Sequence, residues 1–162
     1  MDAAILTHLD ARGAARMVDV GEKPITARRA LAVGFVRCSA ALRERLQRDD
    51  LAKGSALQVA RIAGIQAAKR TPDLIPLCHG LPLDSVTLDL TLTADGVAIR
   101  AETRATWKTG VEMEALTAVT VAALTVIDMG KAVDPAMVIE SVRLLEKSGG
   151  RHGDYRAPEV QP

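Results

Sequence analysis

The sequence predicts an α+β fold, an antiparallel sheet with helices packed on one face, and three observations predict it. A hairpin is legible in "SVTLDLTLTADGVAIRAETRAT", where Val86, Leu88, Leu90 and Leu92 alternate with Thr87, Asp89, Thr91 and Thr93. Asp95-Gly96 supplies the turn, and Val97, Ile99 and Ala101 alternate on the return. Segments of helical period lie before and after this hairpin, one from Ser55 and one from about Val111 to Ala132. Two more β-like runs stand outside those helices, at Arg28 to Ser39 and Ala136 to Gly150. The order is therefore β, α, β, β, α, β, with an extra short helix before the first long one.

That order is ferredoxin-like. The first 25 residues mix Gly, Asp, Lys and Pro without a period and read as an arm. "RRALAVGFVRCS" is the first strand. "SAALRERLQRDD" follows as a short amphipathic helix, with Ser39 as N-cap and Leu42 and Leu46 four residues apart. Ser55 is a good N-cap for the next helix, in which Val59, Ile62, Ala63 and Gln66 continue the helical period, and Ala60, Ala63, Gly64, Ala67 and Ala68 are small enough to let a neighbouring helix approach. Thr71-Pro72 should end it. Pro76 and Pro82 bracket an irregular loop that holds Cys78 and His79. After the hairpin and the long helix, the last strand offers Val138, Val142 and Leu144 to the core. The polar tail, 151–162, is expected to fray, which leaves residues 26–150 as a single domain.

The chain has 162 residues, enough for one domain with a real core. It is 48% hydrophobic but only 2% aromatic, so that core must be aliphatic. A net charge of +1 argues against a dedicated nucleic-acid binder, though not against a local basic pocket. Cys38 and Cys78 are far apart and form no CxxC pair, which suits a reduced, cytoplasmic protein. The N-terminal twenty residues carry Asp2 and Asp10 and no long apolar run, so they read as neither a secretory signal nor a membrane span.

The charged positions of "TGVEMEALTAVTVAALTVIDMGKAVD" are unusual for a core helix. Glu112 and Glu114 open it, and Asp128 and Lys131 close it. Glu114 and Asp128 fall within about 40° of one face but ~21 Å apart along the axis. Two copies packed antiparallel about a two-fold axis would bring one chain's glutamates near the other's Asp128 and Lys131. Complementation of the helix dipole and a simple i, i+3 ion pair are the alternative reading of the same charges. His79 suits proton transfer, phosphate binding or a structural role. Cys78 beside it has no second ligand pair, so no zinc site is expected. Lys53, Lys69, Arg70, Lys147 and Arg151 stand at element ends, where phosphate-binding groups tend to lie. GxxxxGK[ST], GxGxxG and GxSxG are absent. Trp107 precedes the long helix and fits core or interface better than ligand stacking.

"MVDVGEKPITARRA", "ARIAGIQAAKRTPDLIPLCHG", "KTGVEMEALTAVTVAALTVIDMGKAV" and "RLLEKSGG" together resemble the MoaC family, the cyclic pyranopterin monophosphate synthases of molybdenum-cofactor biosynthesis. The resemblance runs from about Thr7 to Tyr155. It implies a ferredoxin-like fold, a homohexamer built as a trimer of dimers with sites at the dimer interface, and no cofactor. The implied substrate is a cyclised dihydro-GTP, rearranged to a pyranopterin cyclic phosphate with loss of pyrophosphate. On the family pattern Asp128 is the catalytic acid and Lys131 its partner, with Lys53 before the middle helix and His79 also in the catalytic set. Substrate contacts map to Leu77, Cys78 and His79, to Met113 and Glu114 with Glu112 beside them, and to the basic residues Arg28, Lys69 and Lys147. On this mapping Asp128 and His79 would exchange protons with the ring system while the lysines hold the triphosphate. Three positions depart from the family's usual KGD, LCHP and DMCK: Ser55, Gly80 and Gly130. A non-catalytic relative that keeps the fold is the alternative, although it would be expected to lose part of the charged set.

Overall fold

A computed structural model describes residues 12–150 and 153–158. The remainder of the expected arm and tail, Arg151 included, lies outside the described residues. The elements run β1 (Thr26–Arg37), α1 (Ala40–Arg48), α2 (Ala56–Lys69), α3 (Thr71–Leu74), β2 (Ser85–Leu92), β3 (Gly96–Trp107), α4 (Glu112–Gly130), β4 (Val138–Ser148) and β5 (Tyr155–Arg156). The sheet order is β2-β3-β1-β4-β5 and every pair is antiparallel. Helices separate β1 from β2 and β3 from β4, and in each case another strand lies between the two, which is the ferredoxin-like arrangement anticipated above.

Alternation along β1 decides where the helices go. Ala30, Ala32 and Val36 are fully buried beneath the helix layer. At Gly34 a Cβ would stand 2.6 Å from the Val119 side chain, so the missing side chain lets α4 approach the strand. Leu31, on the opposite face, is buried but outside the main core. Its register partners Glu102 and Glu146 both grip the Arg29 guanidinium, at 2.7 and 2.8 Å.

α4 is the centre of the core: Ala115, Ala118, Val119, Ala122, Ala123 and Val126 have no exposure. Its length and hydropathy would also suit a membrane span, but just over half of the apolar window is buried inside this fold. α2 crosses it antiparallel, with the first turn of α2 near the end of α4. Gly64 lies against the Ala118 carbonyl and Ala122, where a Cβ would come within 2.8 and 3.3 Å. The small-residue stripe of α2 thus does what its spacing predicted.

Local chemistry sets the boundaries. The Ser39 hydroxyl accepts from the Leu42 amide and caps α1. Ser55 stands at the N-cap of α2, but its hydroxyl makes no capping bond. Pro72 allows one more turn, α3, rather than a loop at once. α4 ends at Gly130, two residues before the expected limit, as the Val133 and Asp134 amides turn back to the Gly130 carbonyl. Buried Asp134 then receives the Ser39 amide at 2.6 Å and the Ala136 amide at 3.0 Å, tying the end of α4 to the start of α1.

β4 departs most from the alternation read in the sequence. Val138 and Val142 are exposed, and of the three proposed core residues only Leu144 packs on the core. The register shifts twice against β1, and Ser141 takes a positive φ of 56°. An extra residue re-aims every side chain after it, which a simple alternation cannot anticipate. The segment expected to fray contributes β5, which pairs with Glu146 and Lys147.

Candidate active site

The charged residues gather at the two ends of α4. At its C-terminal end the Asp128 carboxylate is held on both sides: Oδ1 lies 2.8 Å from Lys131 Nζ and Oδ2 lies 2.8 Å from Lys53 Nζ. Lys53 also donates to the Asp128 carbonyl at 3.0 Å, one of the carbonyls a helix end leaves unpaired. Lys53 reaches it from a tight turn closed by the Gly54 amide on the Leu51 carbonyl, with Gly54 at φ +90°. All three side chains are about half exposed. The ammonium groups of Lys131 and then Lys53 pull the Asp128 carboxyl down to a pKa of about 2. Asp128 is therefore an anion flanked by two cations, and while so paired it is a weak base.

The N-terminal end is built differently. Glu114 is buried, and that burial pushes its carboxyl up to a pKa of about 7, with the Glu112 charge adding to the shift and a backbone hydrogen bond opposing it. Glu112 is half-buried and paired with Lys147 at 3.0 Å. It folds back over Gly110, where a Cβ would stand 1.9 Å from its Oε2. Thr103 fixes the entry to the helix by donating to the Val111 carbonyl at 2.8 Å. Cys78 lies within the field of both glutamates, and burial together with those charges raises its thiol pKa. Arg28 donates to the Trp107 carbonyl at 3.3 Å and the Lys108 carbonyl at 3.5 Å, on the strand end that leads into α4. Trp107 itself is half-buried against the core.

His79, beside Cys78, lies 2.6 Å through Nε2 from the Val18 carbonyl. The sequence reading gave no role to Val18 or to Lys108, which donates to the Gly21 carbonyl. The available signal was "DVG": the Asp19 carboxylate accepts from the Gly21 amide at 2.7 Å, a turn that Asp-x-Gly favours. Leu77 and Met113 are half-buried at this end, and Lys69 is exposed on the last turn of α2.

The structure thus brings Lys53, Asp128 and Lys131 into one cluster and Cys78, Glu112, Glu114 and Lys147 into another. Glu114 and Asp128 are separated along the axis by ~21 Å, so one chain does not close them into one site. Among the described residues no group of three or more His, Cys, Asp and Glu could hold a metal ion. The chemistry on offer is anion binding by paired lysines together with a buried carboxyl able to carry a proton near neutral pH.

Fold and clusters together define the class: a ferredoxin-like α+β protein whose central helix carries a charged cluster at each end. The chain belongs to the MoaC family, whose model matches residues 17–150. It is 58% identical over 156 residues to the cyclic pyranopterin monophosphate synthase of Streptomyces griseus subsp. griseus, covering 95% of this chain and 88% of that one. The synthase of Corynebacterium efficiens is 57% identical over 150 residues, covering 93% and 97% of the two chains. That of Parvibaculum lavamentivorans is 54% identical over 159 residues, covering 97% and 99%.

Proposed function

We propose that this chain is a cyclic pyranopterin monophosphate synthase of molybdenum cofactor biosynthesis, converting a cyclised dihydro-GTP to cyclic pyranopterin monophosphate with release of pyrophosphate. The observation that carries the reading is the grip of Lys53 and Lys131 on Asp128. Two ammonium groups set on either side of one carboxylate form a ready seat for a phosphate chain. A triphosphate that draws them away also frees the carboxylate, whose basicity then rises toward the ordinary range. Asp128 thus serves in two states, as holder of the lysines before binding and as proton acceptor once phosphate replaces it. Glu114 and His79 handle protons at the other end of the helix, and Cys78, Leu77, Met113 and Glu112 bound the space for the base. Arg28, Lys69 and Lys147 supply further positive charge there.

Because the two clusters lie at opposite ends of α4, the complete site takes one from each of two chains. A two-fold dimer does this, and three such dimers make the hexamer. The enzyme works in the cytoplasm. Gly130 gives the non-catalytic alternative no support: the Leu42 and Met137 side chains fill the space a Cβ would take, at 2.7 and 3.2 Å, so this glycine is a packing feature. Gly80 has room for a side chain, its nearest neighbour atom being Pro72 at 4.0 Å.

The test is turnover of the cyclised dihydro-GTP by the purified chain, following pyrophosphate and the pterin product together. Both products are expected. A folded, oligomeric chain that makes neither sinks the synthase reading. Mixing Lys53→Ala and Glu114→Gln chains tests the shared site: partial recovery of turnover in the mixed dimer is expected, and none argues for sites within one chain.

A further inference from the structure

The nitrogen of His79 that faces Val18 can have only one role. A backbone carbonyl has no hydrogen to give, so at 2.6 Å the ring Nε2 must be the donor. The carbonyl is itself held in place. The Asp19 carboxylate closes the turn on the Gly21 amide at 2.7 Å, the Lys23 amide donates to the Val20 carbonyl at 3.1 Å, and Lys108 hooks the Gly21 carbonyl from the strand end before α4. Residues 18–23 are therefore a built element attached to the domain at two points, His79 and Lys108.

We infer that the Val18 carbonyl is a positioning group of the active site: it locks neutral His79 as the Nε2–H tautomer and makes Nδ1 the nitrogen that accepts and returns the proton. A fixed hydrogen bond at one ring nitrogen sets the state of the other. A proton leaving the substrate forms a bond to Nδ1 and gives an imidazolium that still donates Nε2–H to Val18. The reverse step returns that same proton to the substrate, so no co-reactant is needed. The Asp19–Lys23 turn is then part of the catalytic apparatus and not merely a lead-in to β1. This inference rests on His79 belonging to the synthase site.

The direct test is 15N NMR of the histidine side chains in the full-length protein, at a pH where His79 is neutral. A protonated-type signal at Nε2 and an unprotonated-type signal at Nδ1 are expected. A proton on Nδ1, or signals averaged between the tautomers, overturns the inference whatever the turnover. Asp19→Ala, which loosens the turn, should give averaged signals and a kcat lower by about tenfold with KM little changed. Averaged signals with unchanged kcat would overturn the catalytic half of the inference. His79→Gln places an amide donor near the Nε2 position, whereas His79→Asn places one near Nδ1. Trypsin should therefore cut after Arg16 in His79→Gln as slowly as in the parent, and about tenfold faster in His79→Asn. Equal cutting of the two variants would also overturn it. A chain inactive on the cyclised dihydro-GTP that still shows the Nε2–H tautomer would sink the synthase reading alone.

Discussion

The two ends of α4 carry the same kind of group and treat it in opposite ways. Asp128 sits near the C-terminal end, where the helix dipole disfavours an anion. Two lysines nevertheless hold its pKa at about 2. Glu114 sits in the first turn, where the dipole favours an anion, and burial nevertheless lifts its pKa to about 7. In both places the dipole is outweighed: by two hydrogen-bonded cations at one end and by desolvation at the other. One helix therefore offers an ion-paired anion at one end and a carboxyl that can carry a proton at the other, and the proposed reaction would use them as two halves of an acid–base site around a polyanion.

The sharpest way to break that contrast is to remove the paired anion. Asp128→Ala should lower turnover roughly a thousandfold, as read by pyrophosphate release. The side chain is half exposed and builds none of the core, so circular dichroism should show the variant folded like the parent. A fully active Asp128→Ala chain would remove Asp128 from the mechanism.

Glu114→Gln tests the other end. Below the unfolded value of 4.5, Glu114 is protonated in both states and its full stabilising contribution is present. Between 4.5 and about 7 the folded chain holds a proton that the unfolded chain has lost, so stability falls as pH rises through this window. The loss levels off above it, at a total on the order of 3 kcal/mol. Glu114→Gln should remove this slope, so that thermal unfolding at pH 8 moves up relative to the parent while at pH 4 the two nearly coincide. Asp128 should give the opposite sign, with stability lost only as pH falls from 3.8 toward 2. A parent whose midpoint does not change between pH 5 and 8 would contradict the raised carboxyl.

Two glycines sharpen the contrast through packing. Gly64→Ala forces a Cβ against the Ala118 carbonyl, which is backbone and cannot yield cheaply, so chemical denaturation should show a loss of about 2 kcal/mol. Gly130→Ala meets only the far ends of Leu42 and Met137. Alanine gains about 1 kcal/mol of helix propensity there, so its net effect should stay within about 1 kcal/mol of zero. Equal losses at both positions would mean that Leu42 is not free to move aside.

The sheet and helices were legible because burial writes a period into the chain. Val97, Ile99 and Ala101 alternate, and the small Ala60, Gly64, Ala67 and Ala68 mark the buried face of α2, although Val59 and Ile62, which continue its period in the sequence, stand exposed. β4 was not legible, because the register shifts around Ser141 break the alternation: Ile139 and Leu144, of opposite parity, pack on the core, while Val138 and Val142 stand in solvent. Asp128 with Lys131 could be read from an i, i+3 spacing. The third member, Lys53, lies 75 residues away in the chain, and only the antiparallel crossing of α2 and α4 brings it in. Val18 was illegible as a functional position, because what it contributes is a carbonyl, which every residue has.

By itself, then, the sequence determined the order of elements, the alternation of the hairpin, the charged set and the family. These follow from local periodicity and from residue identity. Only the tertiary structure decided what each charge became. Glu114 and Asp128 lie close in angle on one helix, yet one is buried and the other stands between two ammonium groups. A pKa depends on the solvent and charges within a few ångströms, and those are set by which distant segments pack there.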